Sequence, residues 1–217
     1  MRYDHVIFDN DGVLLDSTTK NLQWMEKFRI KEAEKRGVEM TQEQSTRIFR
    51  ASSPEEIRQV AKDTGLTVEQ LREIETAKTH KKMEKIKKGE IKLFDSVKKV
   101  LKKIKQPKAM VSNAPQEATK FSLERYAIEK HFHTIRSPSL NDIEKYTEKK
   151  KPNPEMIEKV IKEKASENPI YIGDSGTDIE AAQKAGIDSI HVETSGSTER
   201  NPTYTVKNIE GILDIIH

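Results

Sequence analysis

The run Val6-Ile7-Phe8-Asp9-Asn10-Asp11-Gly12-Val13-Leu14-Leu15-Asp16-Ser17 decides how the chain is to be read. Three apolar residues in succession stop at an acid, the pattern of a parallel strand buried on both faces whose C-terminal end opens into polar surroundings. Asp9 and Asp11 leave that strand end two residues apart, at a turn that Gly12 permits. One acid of such a pair can attack while its neighbour handles protons. An Asp-Asn-Asp-Gly segment is also simply a good turn, and the rest of the chain separates the two readings.

A second apolar run, residues 170–172, stops at Gly173 and Asp174; a third, 109–111, stops at Ser112 and Asn113; a weaker fourth covers 187–192. Helical patterns fall between them at 95–104, 115–126, 154–164 and 177–185, the last stopped by Gly186. Strands alternating with helices predict an α/β fold, a Rossmann-like parallel-sheet core covered by helices on both faces. In such sheets the ligand crevice lies beyond the carboxyl ends of the strands, where these polar residues stand. The interval 16–88 differs. It carries helical patterns in series, at 20–36, 41–50, 54–62 and 67–86, and no convincing strand. The expected organisation is a catalytic core of residues 1–15 and 89–217 with an inserted α-helical cap of residues 16–88.

Composition narrows the function classes. With 217 residues, 35% charged, 34% hydrophobic and a net charge of +3, the chain reads as globular, with no global pull toward nucleic acid or membrane. It has no cysteine, so thiolate metal sites, disulfides and a cysteine nucleophile are excluded. No signal-peptide pattern and no stretch of roughly 20 apolar residues is found, and the cytoplasm is the expected location. Residues 78–108 hold thirteen lysines against three acids but almost no aromatics, which reads as a solvated helical face rather than an RNA-binding patch. Trp24 reads as packing within the cap, and the six histidines show no metal-binding spacing.

The segment 6–17 resembles the first motif of the haloacid dehalogenase superfamily, D-x-D-G after an apolar strand. The second motif, a strand ending in serine or threonine, is matched at 109–112 followed by Asn113. The third, a lysine often before proline, is matched by Lys151 in Lys151-Pro-Asn-Pro-Glu-Met-Ile157, with the adjacent Lys149 and Lys150 as residual alternatives. The fourth is matched by IGDSGTDIEAAQKAG at 172–186. The resemblance implies a phosphatase of the phosphoglycolate phosphatase and β-phosphoglucomutase-like group, acting through an aspartyl phosphate on Asp9 with Asp11 as acid and base. Ser112, Asn113 and Lys151 would receive the phosphoryl group, and the expected partner is a small phosphate ester. Asp9, Asp11, Asp174 and Asp178 would then converge, and four carboxylates at close range need a compensating charge. A hard divalent cation, Mg²⁺, supplies it. The resemblance assigns the metal to Asp9 and Asp174 through their side chains and to Asp11 through its backbone carbonyl, with Asp178 one layer further out.

Dehalogenases lack the second aspartate of the first motif and phosphonoacetaldehyde hydrolases replace it, so Asp11 favours phosphoryl transfer. A sugar phosphomutase is the alternative, although that pattern commonly carries glutamate where this chain has Gly173. A non-catalytic binding module is the remote reading. Substrate and oligomeric state cannot be read from the sequence.

Overall fold

The computed structural model describes residues 2–17, 23–196 and 198–216. The expected start of the first cap helix at Lys20, and Thr18 in the first crossing, lie outside the described residues. In chain order the elements are β1 (His5–Phe8), α1 (Gln23–Glu34), α2 (Gln42–Arg50), α3 (Pro54–Thr64), α4 (Val68–Lys87), α5 (Val97–Lys103), β2 (Lys108–Val111), α6 (Gln116–Tyr126), β3 (Thr134–Arg136), α7 (Ile143–Lys149), α8 (Glu155–Lys164), β4 (Pro169–Gly173), α9 (Gly176–Lys184), β5 (Asp188–Val192), β6 (Tyr204–Val206) and α10 (Leu213–Ile216).

All six strands pair in parallel in the order β3-β2-β1-β4-β5-β6, so β1 is central, flanked by β2 and β4. Strand alternation sorts the apolar residues between the two faces. Val6, Phe8, Met110, Ile170 and Ile172 pack with Val97, Val100 and Leu101 of α5, Leu123 of α6 and Ile212 and Ile216 near the C-terminus. Ile7, Ala109, Val111 and Tyr171 face the other way onto Met156, Ile157 and Val160 of α8 and Ala181 and Ala182 of α9. A sheet covered on both faces leaves its carboxyl edge as the place where polar side chains gather.

The four helices between β1 and α5 form a second apolar cluster around Ala33, Ile48, Ile57, Val60, Leu71 and Ile74, joined by Ile143 and Tyr146 of α7. Local chemistry sets their ends. Thr41 and Thr67 form capping boxes with Gln44 and Gln70, Ser53 caps α3 ahead of Pro54, and Gly65 closes α3 at φ +76°. Trp24 packs against the cluster of Leu15, Ile86 and Ile91. The chain enters and leaves this helical segment through paired crossings: Leu15 bridges Leu93 in antiparallel fashion, Asp16 N–H donates to Lys92 O at 2.8 Å, and Phe94 N–H donates to Leu14 O at 3.0 Å. Among the described residues no helix is long and apolar enough to cross a membrane.

Candidate active site

Asp9 follows the last residue of the central strand, and its N–H donates to Ile172 O of β4 at 2.8 Å, which fixes where its side chain emerges. The turn beyond it is tied by the N–H groups of Leu14 and Leu15, both donating to Asn10 O at 2.9 Å. Gly12 sits at φ +79°, and a Cβ there would lie 1.8 Å from Asp174 Oδ2. Only glycine allows the β1 turn to approach the acid that ends β4.

Lys151 reaches this point from the loop after α7. Asn113 clamps its peptide unit on both sides, accepting from Lys151 N–H at 2.7 Å and donating to Lys151 O at 3.0 Å. The buried ammonium then meets Asp9 Oδ1 at 2.7 Å, Asp178 Oδ1 at 2.5 Å, the Tyr171 hydroxyl at 2.7 Å and Val111 O at 3.1 Å. Of the three neighbouring lysines, Lys149 is exposed and Lys150, though buried, turns toward α2, where it donates to Phe49 O.

Asp174 and Asp178 come from the end of β4 and the first turn of α9. Ser175 caps α9 and exchanges hydrogen bonds with Asp178, accepting from its N–H and donating to Oδ2 from both N–H and hydroxyl. One oxygen of Asp178 therefore holds the helix start while the other faces Lys151. Asp174 accepts from Ser195 on its carboxylate, and His191 Nε2 lies 3.1 Å from its backbone carbonyl.

Oxygens of Asp9, Asp174 and Asp178 lie within 4.8 Å of one another. Asp178, expected further out, stands with the other two. Burial pushes the Asp9 carboxyl well above its usual range; Lys151 opposes this, and the charges of Asp178 and Asp174 add to it. Burial together with the Asp178 charge pushes Asp174 up to about 7. Burial would lower Lys151, but Asp178 and Asp9 outweigh it and hold the ammonium above its ordinary range. Ionised together, three buried carboxylates facing one ammonium would carry an excess of two negative charges, and the raised Asp9 and Asp174 show the cost of that excess; an all-oxygen donor set of that charge fits a hard divalent cation such as Mg²⁺.

The Asp11 side chain does not join this group. Its two oxygens lie 2.6 Å from the Lys82 ammonium of α4, and Ser17 donates to Oδ1 at 2.6 Å. Burial would raise Asp11, but Lys82 and Ser17 outweigh it and hold the carboxyl below its ordinary range. Ser112 lies buried at the end of β2, its hydroxyl accepting from Ala114 N–H at 3.1 Å. The Asn113 amide, expected to face an anion, is committed to the Lys151 backbone. A groove of about 370 Å³ between α4 and α6, lined by Arg72, Thr76, Pro115 and Lys120 among others, contains none of these carboxylates.

Sequence reasoning missed Lys82, Tyr171 and the cap cations behind Lys82. Within α4 the buried positions are Leu71, Ile74, Glu75, Lys78, Thr79, Lys82 and Ile86. This is an apolar stripe at helical spacing interrupted by charge, and charge on a core-facing stripe was the signal available. The run of lysines taken as a solvated face thus includes two that are buried. Tyr171 carried no signal, since a tyrosine inside an apolar strand reads as core.

The chain matches the family model described as haloacid dehalogenase-like hydrolase over residues 6–192. A curated protein of Caldanaerobacter subterraneus subsp. tengcongensis, provisionally named pyrophosphatase PpaX, is 26% identical over 227 residues, covering 100% of this chain and 96% of its own length. Among solved structures, a protein of Lactobacillus plantarum provisionally described as phosphoglycolate phosphatase is 16% identical with a TM-score of 0.74, covering 99% of this chain and 100% of that one. The HAD-hydrolase YfnB of Bacillus subtilis, described as bound to magnesium and as revealing interdomain movement, is 18% identical with a TM-score of 0.63, over 100% of this chain and 99% of that one. At these identities the two structures share the fold.

Proposed function

The chain belongs to the haloacid dehalogenase-like hydrolase family, and from that premise we propose that it is a magnesium-dependent phosphatase of small phosphorylated metabolites of the phosphoglycolate type. The observation that carries the reading is the buried Lys151 ammonium between Asp9 and Asp178, with the oxygens of Asp9, Asp174 and Asp178 gathered within 4.8 Å. The provisional phosphoglycolate phosphatase and pyrophosphatase names of similar proteins, and the magnesium in one of them, support it. Residues 1–15 and 89–217 would act as the catalytic core and 16–88 as its cap.

Lys151 holds Asp9 Oδ1, so Oδ2 is the attacking atom. It forms a bond to phosphorus as the bond from phosphorus to the leaving oxygen breaks, and that oxygen takes a proton from Asp11. Asp11, now a carboxylate, removes a proton from water, which attacks the aspartyl phosphate, freeing inorganic phosphate and the Asp9 carboxylate. Lys82 holds Asp11 in the form the second step requires; in the first step the ammonium must turn to the incoming anion so that Asp11 can carry a proton. Lys151 offsets negative charge on nucleophile and phosphoryl group, and Ser112 with the backbone N–H groups near it receives the phosphoryl oxygens. Asp9 and Asp174, with Asp178 in reach, would hold Mg²⁺, which when bound supplies positive charge opposite those oxygens.

The phosphomutase pattern commonly carries a glutamate at position 173. A Cβ at Gly173 would fall 2.2 Å from Asp178 Cβ, so that acid and Asp178 in its present seat exclude one another. This favours hydrolysis over transfer to a sugar.

Phosphate release from phosphoglycolate and a panel of phosphate esters tests the reading. Asp9→Asn should lower turnover by roughly 10³-fold or more with an unchanged melting temperature. A chelator should abolish activity and Mg²⁺ restore it, while Ca²⁺ inhibits. Substantial turnover by Asp9→Asn, full activity in chelator, or efficient isomerisation of β-glucose 1-phosphate with little hydrolysis would each overturn it.

A further inference from the structure

The cap side of the site carries a charge imbalance opposite in sign to the one on the core side. Arg29, Lys78, Lys82 and Lys150 are each no more than 7% exposed. The buried anions facing them among the described residues are Glu75 and Asp11, and the exposed Glu56 also acts on Lys150. Lys82 is committed to Asp11. Glu75 is shared: Arg29 Nε reaches Oε1 at 2.5 Å and Lys78 Nζ reaches Oε2 at 2.6 Å, so one carboxylate answers two cations. Lys150 has no carboxylate in ion-pair reach among the described residues. Its ammonium donates to Phe49 O at 3.0 Å and lies 5.4 Å from the centre of the Tyr146 ring. Burial is the main cause that pulls Lys150 down to about 8, with Lys78 and Arg29 adding to it and Glu75 and Glu56 opposing. A buried ammonium with no carboxylate in ion-pair reach costs stability and is retained where something else compensates it.

These cations are close to the chemistry. Lys78 and Lys82 are one helical turn apart on α4, and Lys82 touches Asp11. Lys150 immediately precedes Lys151, and Tyr146, beneath the Lys150 ammonium, donates to Asn113 O, the residue that clamps Lys151. The surplus charge therefore lies on the side of Lys82 and Asp11, the side on which Asp11 would protonate the leaving group of a bound phosphate compound. An uncharged leaving group would leave it unanswered.

Building on the phosphatase reading above, we propose that Lys150 and Lys78 receive a second anionic group of the substrate, on its leaving-group side, so that the enzyme selects compounds bearing two anionic groups. A carboxylate and a second phosphate share this chemistry. Lys150 is the specificity-determining residue, and the cap brings Lys78 to it.

The test compares wild type with Lys150→Met on p-nitrophenyl phosphate, whose leaving group carries no anion before cleavage, on phosphoglycolate, and on pyrophosphate, all with Mg²⁺. The wild type should prefer at least one of the two charged substrates. Lys150→Met should lose about tenfold or more in kcat/KM on that substrate, mainly through KM, and stay within about twofold on p-nitrophenyl phosphate. Lys150→Arg, which keeps the charge, should recover part of the loss. Whichever charged substrate responds identifies the group as carboxylate or phosphate. The melting temperature of Lys150→Met should equal or exceed that of wild type, because an apolar side chain of similar length replaces a buried charge. Equal losses on all substrates would assign Lys150 to the transferred phosphoryl group or to propping the cap and would overturn the proposal, as would no change on any of them. Calorimetric titration of Asp9→Asn with phosphoglycolate and with pyrophosphate, with and without Lys150→Met, reads the same contact without turnover. Weaker binding there, with no phosphate released from any substrate by wild type, would keep the anion site and discard the phosphatase reading; unchanged binding would discard the anion site.

Discussion

His5 opens the central strand with no exposed surface, its Nδ1 2.8 Å from Ser166 Oγ, its Nε2 without a hydrogen-bond partner and its ring 4.9 Å from that of His133. Burial, reinforced by His133, lowers its pKa to about 4 from the ordinary 6.5. The unfolded chain therefore binds a proton that the folded chain refuses. Stability from this residue is intact above pH 6.5 and falls as the pH drops toward 4, by a total on the order of 3 kcal/mol. His5→Phe should flatten the melting temperature between pH 6.5 and 4.5; an undiminished slope would mean that other groups set the acid limit. At this scale the sequence was legible where a side chain sits at a strand end, as with Asp9 and Asp174, or ahead of a proline-marked helix start, as with Lys151. It was not legible where the decisive contact spans distant segments, as with Lys82 and Asp11, 71 residues apart, or where Lys150 and Lys151, adjacent in sequence, point to different neighbourhoods.

The start of α9 is the element on which the carboxylate geometry depends. Gly173 ends β4 with no side chain because Asp178, one turn into the helix, occupies that space. Gly173→Ala must shift the helix start or break the Ser175 cap, and it should destabilise the protein by about 1–3 kcal/mol and lower phosphate release by more than the stability change explains. Thermal melts and initial rates check both. A variant matching wild type in stability and rate would show that Asp178 has freedom to move. The long elements were legible because each buries a continuous apolar run or stripe. The edge strands β3 and β6 were not, being three residues long and lacking such a run. Nor was α7, a seven-residue helix whose Ile143 and Tyr146 pack against the cap. Edge elements are specified by the partners they meet more than by their own pattern.

Across the whole molecule, the helical segment meets the rest of the chain through Lys82 on Asp11 and Arg58 on Glu144 of α7, and Tyr126 OH donates to Ile91 O just past the segment's end. On the phosphatase reading, a phosphate compound enters beside Asp11 where Lys82 now sits, and the helical segment is expected to lift to admit it and to return with Lys82 turned to the anion. Small-angle scattering should give a larger radius of gyration for the free protein than for protein with Mg²⁺ and a phosphate analogue. Emission of Trp24, packed near the crossings, should change in step. Identical scattering profiles would count against the motion. The paired crossings at Leu15 and Leu93 bear on more than movement. Because the chain leaves and re-enters the sheet side by side, residues 16–92 form an excursion that returns to its starting point, and a short turn from Leu14 to Phe94 would close the gap without altering the strand order. The excursion is built as a cassette: on the phosphatase reading, trading its helices for others with a different set of charges should change which compounds are accepted and leave the strand order as it is.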